Sequence, residues 1–269
     1  MKEDEVYILL NDLQEVYGYD FNEYSKASLK RRMQRLYALD KFPSFAEFRY
    51  RVRHDEIYLK RFVEEITVNV TEMFRDPAFY RVLRQEVLPT LATYPLIRIW
   101  HAGCSTGEEV YSMAIMLQEA NLLRKSLLYA TDLNPDVLEK AKTGIFPLAS
   151  MKQYSENYIF SGGENDFSSY YTTRYNYAKF DRDLSSKMVF ATHNLVSDGS
   201  FNQFQLIMCR NVMIYFEQPL QERVFQLFDQ SLEGLGFIAL GAKETIRFSG
   251  VASQYKQLAK EKIWRKGPQ

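Results

Sequence analysis

Ile97-Arg-Ile-Trp-His-Ala-Gly103, then Cys-Ser-Thr-Gly107-Glu-Glu109, then Val110, Met113, Ala114 and Leu117 on one helical face, decide the fold. A short apolar run, a glycine-bearing turn and a helix with a 3.6-residue period are the first half of a β-α-β unit. Working outward, the same alternation recurs: LLYATD (127–132), a helix from Pro135, MVFATHNL (188–195), FQLIMCRNV (204–212), a helix from Pro219, and GLGFIALGA (234–242), which closes the series. Strands alternating with helices imply right-handed crossovers and a mostly parallel, Rossmann-like sheet covered on both faces. Ligands of such sheets sit beyond the carboxyl ends of the strands. Between about 150 and 187 the alternation lapses into a Tyr/Phe-rich stretch around Ser161-Gly162-Gly163, read as small antiparallel strands inserted in the larger domain.

Upstream, residues 1 to about 85 hold no glycine except Gly18 and read as successive amphipathic helices, an all-α domain. Ser44 with Glu47 forms a capping-box pattern ahead of Phe45, Phe48 and Val52. Asp76-Pro77 supplies an N-cap and a proline at the first helical position of a segment linking the two units. The expected organisation is thus 1–85 helical, with a basic helix and linker, and 86–269 α/β with its β insert at about 150–187.

Lys+Arg and Asp+Glu both number 34 in 269 residues, so no overall cationic field draws in nucleic acid. Cys104 and Cys209 are the two cysteines; without paired spacing they argue against a disulfide framework or zinc site and for a reducing, cytoplasmic setting. His54, His101 and His193 show neither metal-ligand nor triad spacing. The start MKEDEVYILLNDLQ does not read as a secretory signal, and no run of about 18 apolar residues predicts a spanning helix.

The turn after the first strand lacks the G-x-G-x-x-G spacing of a dinucleotide loop, and Glu108 and Glu109 in the first helical turn would repel a pyrophosphate. A non-phosphorylated or cationic ligand such as S-adenosylmethionine fits, with Gly103 and Gly107 allowing close approach and Glu109 facing an ammonium. Simple complementation of the helix dipole explains the two acids equally well. Asp132, ending the second strand, is placed to accept from both ribose hydroxyls, since Asn134-Pro135 already caps the next helix. His193-Asn194-Leu195 and Cys209-Arg210-Asn211 are polar strand ends of the same kind.

TVNVTEMFRDP (67–77), AGCSTGEEVYS (102–112), ATDLNPDVLEKA (130–141), HNL (193–195) and IMCRNVMIYF (207–216) resemble, in order and spacing, the chemotaxis receptor methyltransferases of the CheR family, over about residues 10 to 245. That resemblance implies a small helical domain, a class I methyltransferase domain with a three-stranded insert, and transfer of methyl from S-adenosylmethionine to receptor glutamates, leaving S-adenosylhomocysteine. It implies cofactor contacts at Asn69, Thr71, Arg75, Gly103, Glu109, Asp132, Asn194, Leu195, Arg210 and Asn211. A glutamate acceptor is ionised at neutral pH, with a reference pKa of about 4.3, so positioning outweighs base catalysis. Arg75 is expected to orient the incoming carboxylate and Tyr215 to support the methyl group or carboxylate; a purely structural tyrosine is the commoner outcome for such a position.

Lys26, Lys30, Arg31, Arg32 and Arg35 lie on one helix free of acids from Ser25 to Leu39, with Leu29, Met33 and Leu36 on the opposite face. A solvated face is the ordinary reading; the resemblance adds docking against the Glu/Gln-rich cytoplasmic methylation helices of chemoreceptors. The insert's aromatics, Tyr154 to Phe180, are read either as a structural cluster or as a site where a receptor's C-terminal peptide adds as an edge strand. Three rival functions are a nucleic-acid methyltransferase, disfavoured by Cys209-Arg-Asn-Val-Met-Ile-Tyr215 where an Asn-Pro-Pro-Tyr-like clamp would stand, a nicotinamide enzyme, disfavoured by the loop spacing, and a non-catalytic receptor-docking scaffold. A methyltransferase serving a receptor pathway other than chemotaxis is a further alternative.

Overall fold

The computed structural model describes residues 1–67, 71–258 and 260–268. Contacts divide the chain into two units, Met1–Asn69 with Tyr215–Arg223, and Val70–Ile214 with Val224–Gln269. The division falls earlier than the expected boundary near 85. The reason is packing: Phe79, Tyr80, Leu83 and Val87 of the linking segment share one buried cluster with Ile97, Ile99 and Leu128.

The smaller unit carries α1 (Glu3–Tyr17), α2 (Lys26–Leu39), α3 (Phe45–His54) and α4 (Glu56–Thr67). α1 ends where Gly18 turns left-handed at φ 76° and returns its N–H to the carbonyls of Leu13 and Gln14, a stop that suits glycine. Ser44 Oγ accepts the amide of Glu47 at 3.3 Å and so caps α3 as expected. Leu9, Leu13, Leu29, Met33, Leu36, Phe48 and Phe62 are buried between the helices. Buried Asp12 on α1 pairs with Arg49 and Arg53 of α3.

In the larger unit α5 (Pro77–Val82) runs through a π-helical turn, Leu83–Val87, into α6 (Leu88–Leu91). β1 (Ile97–Ala102), α7 (Glu108–Glu119), β2 (Ser126–Asp132) and α8 (Pro135–Thr143) follow, matching the alternation read from sequence. The insert comprises β3 (Ile145–Pro147), α9 (Met151–Phe160), β4 (Tyr171–Arg174), β5 (Tyr177–Phe180) and the short α10 (Arg182–Ser185). Then come β6 (Met188–Thr192), β7 (Phe204–Cys209), α11 (Gln218–Ser231, counted with the larger unit from Val224 on), β8 (Leu232–Leu240), β9 (Tyr255–Gln257) and β10 (Ile263–Lys266).

The main sheet has the order β6-β2-β1-β7-β8-β10-β9. The first five strands are mutually parallel, and β10 and β9 add antiparallel. β7 is buried at all six positions, as a continuous apolar run in a sheet covered on both faces must be. Two points differ from the sequence expectation. The series does not close at GLGFIALGA, because β10 buries Ile263 and Trp264 against β8. The insert opens at Ile145 and is not all strand: Tyr154 and Tyr158, four residues apart, are buried on one face of α9. Its small sheet runs β3-β5-β4, with Phe146 and Phe180 packed on Tyr111 of α7. Among the described residues no helix is long and apolar enough to cross a membrane.

Candidate functional site

From β1 the chain passes to β2 and β6 on one side, then to β7 and β8 on the other, so the strand order switches between β1 and β7. At such a point the loops leaving the two central strands diverge and open a crevice at their carboxyl ends. The residues singled out above sit at these ends: Gly103 follows β1, Asp132 ends β2, Asn194 and Leu195 follow β6, and Arg210 and Asn211 follow β7.

The glycine turn is fixed by sterics. Gly103 has φ 78°, and a Cβ there would stand 2.5 Å from Val212 Cγ2; Gly107 has φ 96°, and its Cβ would stand 2.9 Å from that of Ala141. Any side chain would push the turn off the loop after β7 or off α8. The amides of Gly103 and Cys104 both donate to the Thr131 carbonyl, at 2.8 and 2.9 Å, which binds the turn to the end of β2.

Asp132 is more occupied than the sequence reading allowed. Its Oδ2 accepts the amide of Ser105 at 2.9 Å and its Oδ1 that of Asn134 at 3.0 Å. The expectation that it is spared because Asn134 caps α8 is corrected: Asn134 Oδ1 does take the Asp136 amide, but Asp132 shapes the loops on either side. Each carboxylate oxygen retains a lone pair. Burial raises the Asp132 carboxyl above its ordinary range against the pull of these amides.

Glu109 forms a buried ionic knot. Its Oε1 lies 2.9 Å from Nδ1 of His101 in β1, and its Oε2 lies 3.6 Å from Arg210 Nη1. Burial disfavours its charge, but His101 and Arg210 outweigh that and hold the carboxyl below the ordinary glutamate range. The Arg210 side chain is 2% exposed, over the rings of Phe79 (4.0 Å) and Tyr80 (5.6 Å). Its Nη2 donates to Asp76 Oδ2 at 2.7 Å and to the carbonyl of Arg75 at 3.0 Å. Asp76 is therefore not the helix cap expected of it; it has φ 60°, makes no side-chain cap, and turns its carboxylate to Arg210.

The loop bearing Arg75 is held from three sides. The Phe74 amide donates to Ser112 Oγ of α7 at 3.0 Å, Asn157 Nδ2 of α9 donates to the Met73 carbonyl at 2.9 Å, and Arg210 holds Arg75 and Asp76. Phe74 (φ 52°) and Asp76 both take left-handed backbone, a strained arrangement that persists where surroundings over-determine it. Ser112 and Asn157 are not legible as site residues, since each makes its contact across the fold, and nothing in the sequence marks the His101 ring as the partner of Glu109 eight positions on.

The remaining candidates are placed as follows. Thr71 and Arg75 are half-buried on the loop, and Asn69 lies outside the described residues. Asn194 bonds within its own turn, its Oδ1 accepting from Val196 and its amide donating to Asp198; Leu195 beside it is buried. Asn211 takes φ 61°. Tyr215 belongs to the smaller unit, where its carbonyl accepts the Ser25 amide at 2.8 Å and the Arg32 guanidinium lies 4.5 Å from its ring. Arg32 corrects the basic-stripe expectation: it is 8% exposed and donates to the Ile66 carbonyl, whereas Arg31 and Arg35 are exposed. Lys26 is half-buried with its ammonium on the carbonyls of Phe21 and Asn22, and Lys30 lies 3.7 Å from Glu3. Cys104 and Cys209 are buried and burial pushes both thiols up, as packing residues.

This donor set fits S-adenosylmethionine. Two half-buried carboxylates, Glu109 and Asp132, flank a tight glycine turn, and Ser105 Oγ, His101 Nε2 and Asn134 Nδ2 are buried there without a partner among the described residues. The carboxylates of Asp132 and Glu109 supply acceptors for hydroxyl and ammonium groups, and Glu108 and Glu109 occupy the α7 N-terminus where a phosphate would otherwise bind.

Comparison with known families and proteins agrees. The model of the CheR methyltransferase SAM-binding domain matches residues 69–263, and that of the CheR methyltransferase all-alpha domain matches residues 5–67. The chain is 45% identical over 265 residues to Cher3 of Pseudomonas putida, covering 97% of this chain and 96% of the other. It is 32% identical to the chemotaxis protein methyltransferase of Listeria monocytogenes, covering 85% of each chain. It is 29% identical to that of Borreliella burgdorferi, covering 91% of this chain and 89% of the other. The chain belongs to the CheR methyltransferase family and binds S-adenosylmethionine.

Proposed function

We propose that this protein methylates glutamate side chains of chemoreceptor-type proteins in the cytoplasm, giving a glutamate methyl ester and S-adenosylhomocysteine. The observation that carries the proposal is the Arg210 knot, which ties Glu109 at the glycine turn to the Arg75 loop. Relatives in Listeria monocytogenes and Borreliella burgdorferi named as chemotaxis protein methyltransferases support the substrate class.

In this reading Asp132 accepts from the ribose, Glu109 offsets the cofactor's positive charge, Gly103 admits it closely, and Asn69, Thr71, Asn194, Leu195, Arg210 and Asn211 complete its surroundings. When bound, S-adenosylmethionine supplies a methyl carbon activated by its sulfonium. The chain's own work is positional. Arg75 is a cation on an over-determined loop, and a guanidinium pairs with a carboxylate in a planar, two-bonded geometry that leaves its attacking oxygen in a fixed place. In the smaller unit, Tyr215 has the Arg32 guanidinium over its ring. No residue has to remove a proton, because the acceptor carboxylate is ionised at neutral pH.

Receptor docking falls chiefly to the exposed Arg31 and Arg35 of α2, with the half-buried Lys26 and Lys30 beside them, against acidic methylation helices. The outer strand β4 offers an edge to a receptor's C-terminal peptide. Incubation with receptor fragments and cofactor, followed by peptide mass mapping, tests the proposal: methyl ester on glutamate supports it, and methylation confined to lysine or arginine rejects it.

A further inference from the structure

We infer that Glu244, four positions beyond the end of β8, is the positioning residue of the Arg210–Asn211 turn; the inference rests on the reading of that turn as part of the cofactor site. β7 ends at Cys209, and the following backbone leaves the sheet with Asn211 in left-handed conformation. The amides of this turn have lost their ladder partners, and buried N–H groups must find others. Glu244, 5% exposed, supplies them. Its Oε2 accepts from Asn211 at 2.9 Å and from Gly241 at 2.6 Å, and its Oε1 accepts from Val212 at 2.9 Å and Ile214 at 3.3 Å.

One carboxylate thus satisfies four backbone amides drawn from the ends of two neighbouring strands, β7 and β8. Gly241 makes the room. A Cβ there would stand 2.7 Å from Glu244 Oε2 and 2.8 Å from the Asn211 nitrogen. The link continues to the first strand, because Val212, held by Glu244 through its amide, fills with its side chain the space that a Cβ on Gly103 would need. Glu244 therefore sets the turn from which Arg210 reaches the Arg75 loop and Glu109, and through Val212 it sets the back of the glycine turn. Its four hydrogen bonds go to the backbone amides of Asn211, Gly241, Val212 and Ile214 and not to Arg210 or Asp132, so its effect on a ligand is indirect.

Glu244→Gln keeps the shape but turns a donating NH2 toward backbone N–H groups that need acceptors. Titration of the full chain with S-adenosylhomocysteine should show affinity weakened about tenfold or more, because charge-assisted bonds shaping the turn are lost. Glu244→Asp should recover part of it. The Michaelis constant for a receptor fragment should stay near that of the wild type, and the amide proton shifts of Asn211, Val212 and Gly241 should move upfield. Thermal unfolding of each variant separates this from loss of fold; if Glu244→Gln does not fold, the Asp variant is read alone and must bind more weakly than wild type.

Unaltered affinity in a folded Gln variant, or in the Asp variant where only that folds, overturns the inference when Arg210→Ala does weaken binding. If Arg210→Ala also binds as wild type, the placement of the cofactor at this turn fails, and the inference falls with it.

Discussion

Arg210 and Asp76, 134 positions apart in the chain, meet at 2.7 Å between Nη2 and Oδ2. This contact joins the end of β7 to the loop that presents Arg75, and it diverts Asp76 from the helix-capping role that its place before Pro77 suggests. The Arg210 side chain is almost wholly buried while that of Asp76 is 45% exposed, so the two ends of the pair differ in cost when removed.

Asp76→Asn should destabilise the protein by about 1 kcal/mol, at the surface-pair end of the range because Asp76 is half in water. Arg210→Met should cost several-fold more, since it strands the carboxylate of Glu109 in the interior. Urea denaturation of the two variants checks the order; equal effects would mean that the pair does not organise the loop.

Asp132→Ala should weaken cofactor affinity by at least about tenfold, roughly 1.4 kcal/mol. The amides of Ser105 and Asn134 lose their acceptor as well, so the loss combines a missing ribose contact with a loosened turn. Asp132→Asn, which keeps one acceptor, should fall between. Calorimetric titration with S-adenosylhomocysteine decides, and unchanged affinity in the Ala variant would remove Asp132 from the site.

Arg31→Glu and Arg35→Glu should raise the Michaelis constant for receptor while leaving cofactor affinity and melting temperature near wild type. Salt should reduce the difference, as expected for exposed charges. Arg32→Glu should instead lower the melting temperature, because it buries an acid where a guanidinium bonded the Ile66 carbonyl and covered Tyr215. Indistinguishable behaviour of Arg31 and Arg32 variants would refute the division.

Acid stability should carry the mark of Glu109. Its carboxyl is held below the ordinary range in the folded chain, so it contributes stability present above the unfolded pKa, about 4.3, and lost as pH falls through the folded value. The melting-temperature gap between wild type and Glu109→Gln should therefore be steady above about pH 5 and narrow below about pH 4. A gap that widens on acidification would contradict the sign.

What was legible in the sequence follows from how local each signal is. The strand-turn-helix order, the glycines and the acids at strand ends are contained within a few residues, so the sheet and the neighbourhood of Gly103, Glu109 and Asp132 could be read directly. β10 carries only four residues and pairs with a strand already complete by pattern. Its partner is found by folding, not by periodicity. The same holds for Ser112 and Asn157, ordinary helical positions until the fold brings them to the Phe74 and Met73 backbone. Arg32 was misassigned because a helix-face count cannot tell a guanidinium lying in water from one lying on a tyrosine ring brought in from residue 215.

The central claim, esterification of a carboxylate, is tested most directly by base lability. Membranes carrying the organism's chemoreceptors are incubated with the protein and methyl-labelled S-adenosylmethionine, and the washed receptor band is treated with alkali. The account predicts label on the receptor that is released as volatile methanol. Label that stays on the receptor through alkali would place the methyl group on nitrogen, carbon or sulfur and contradict it.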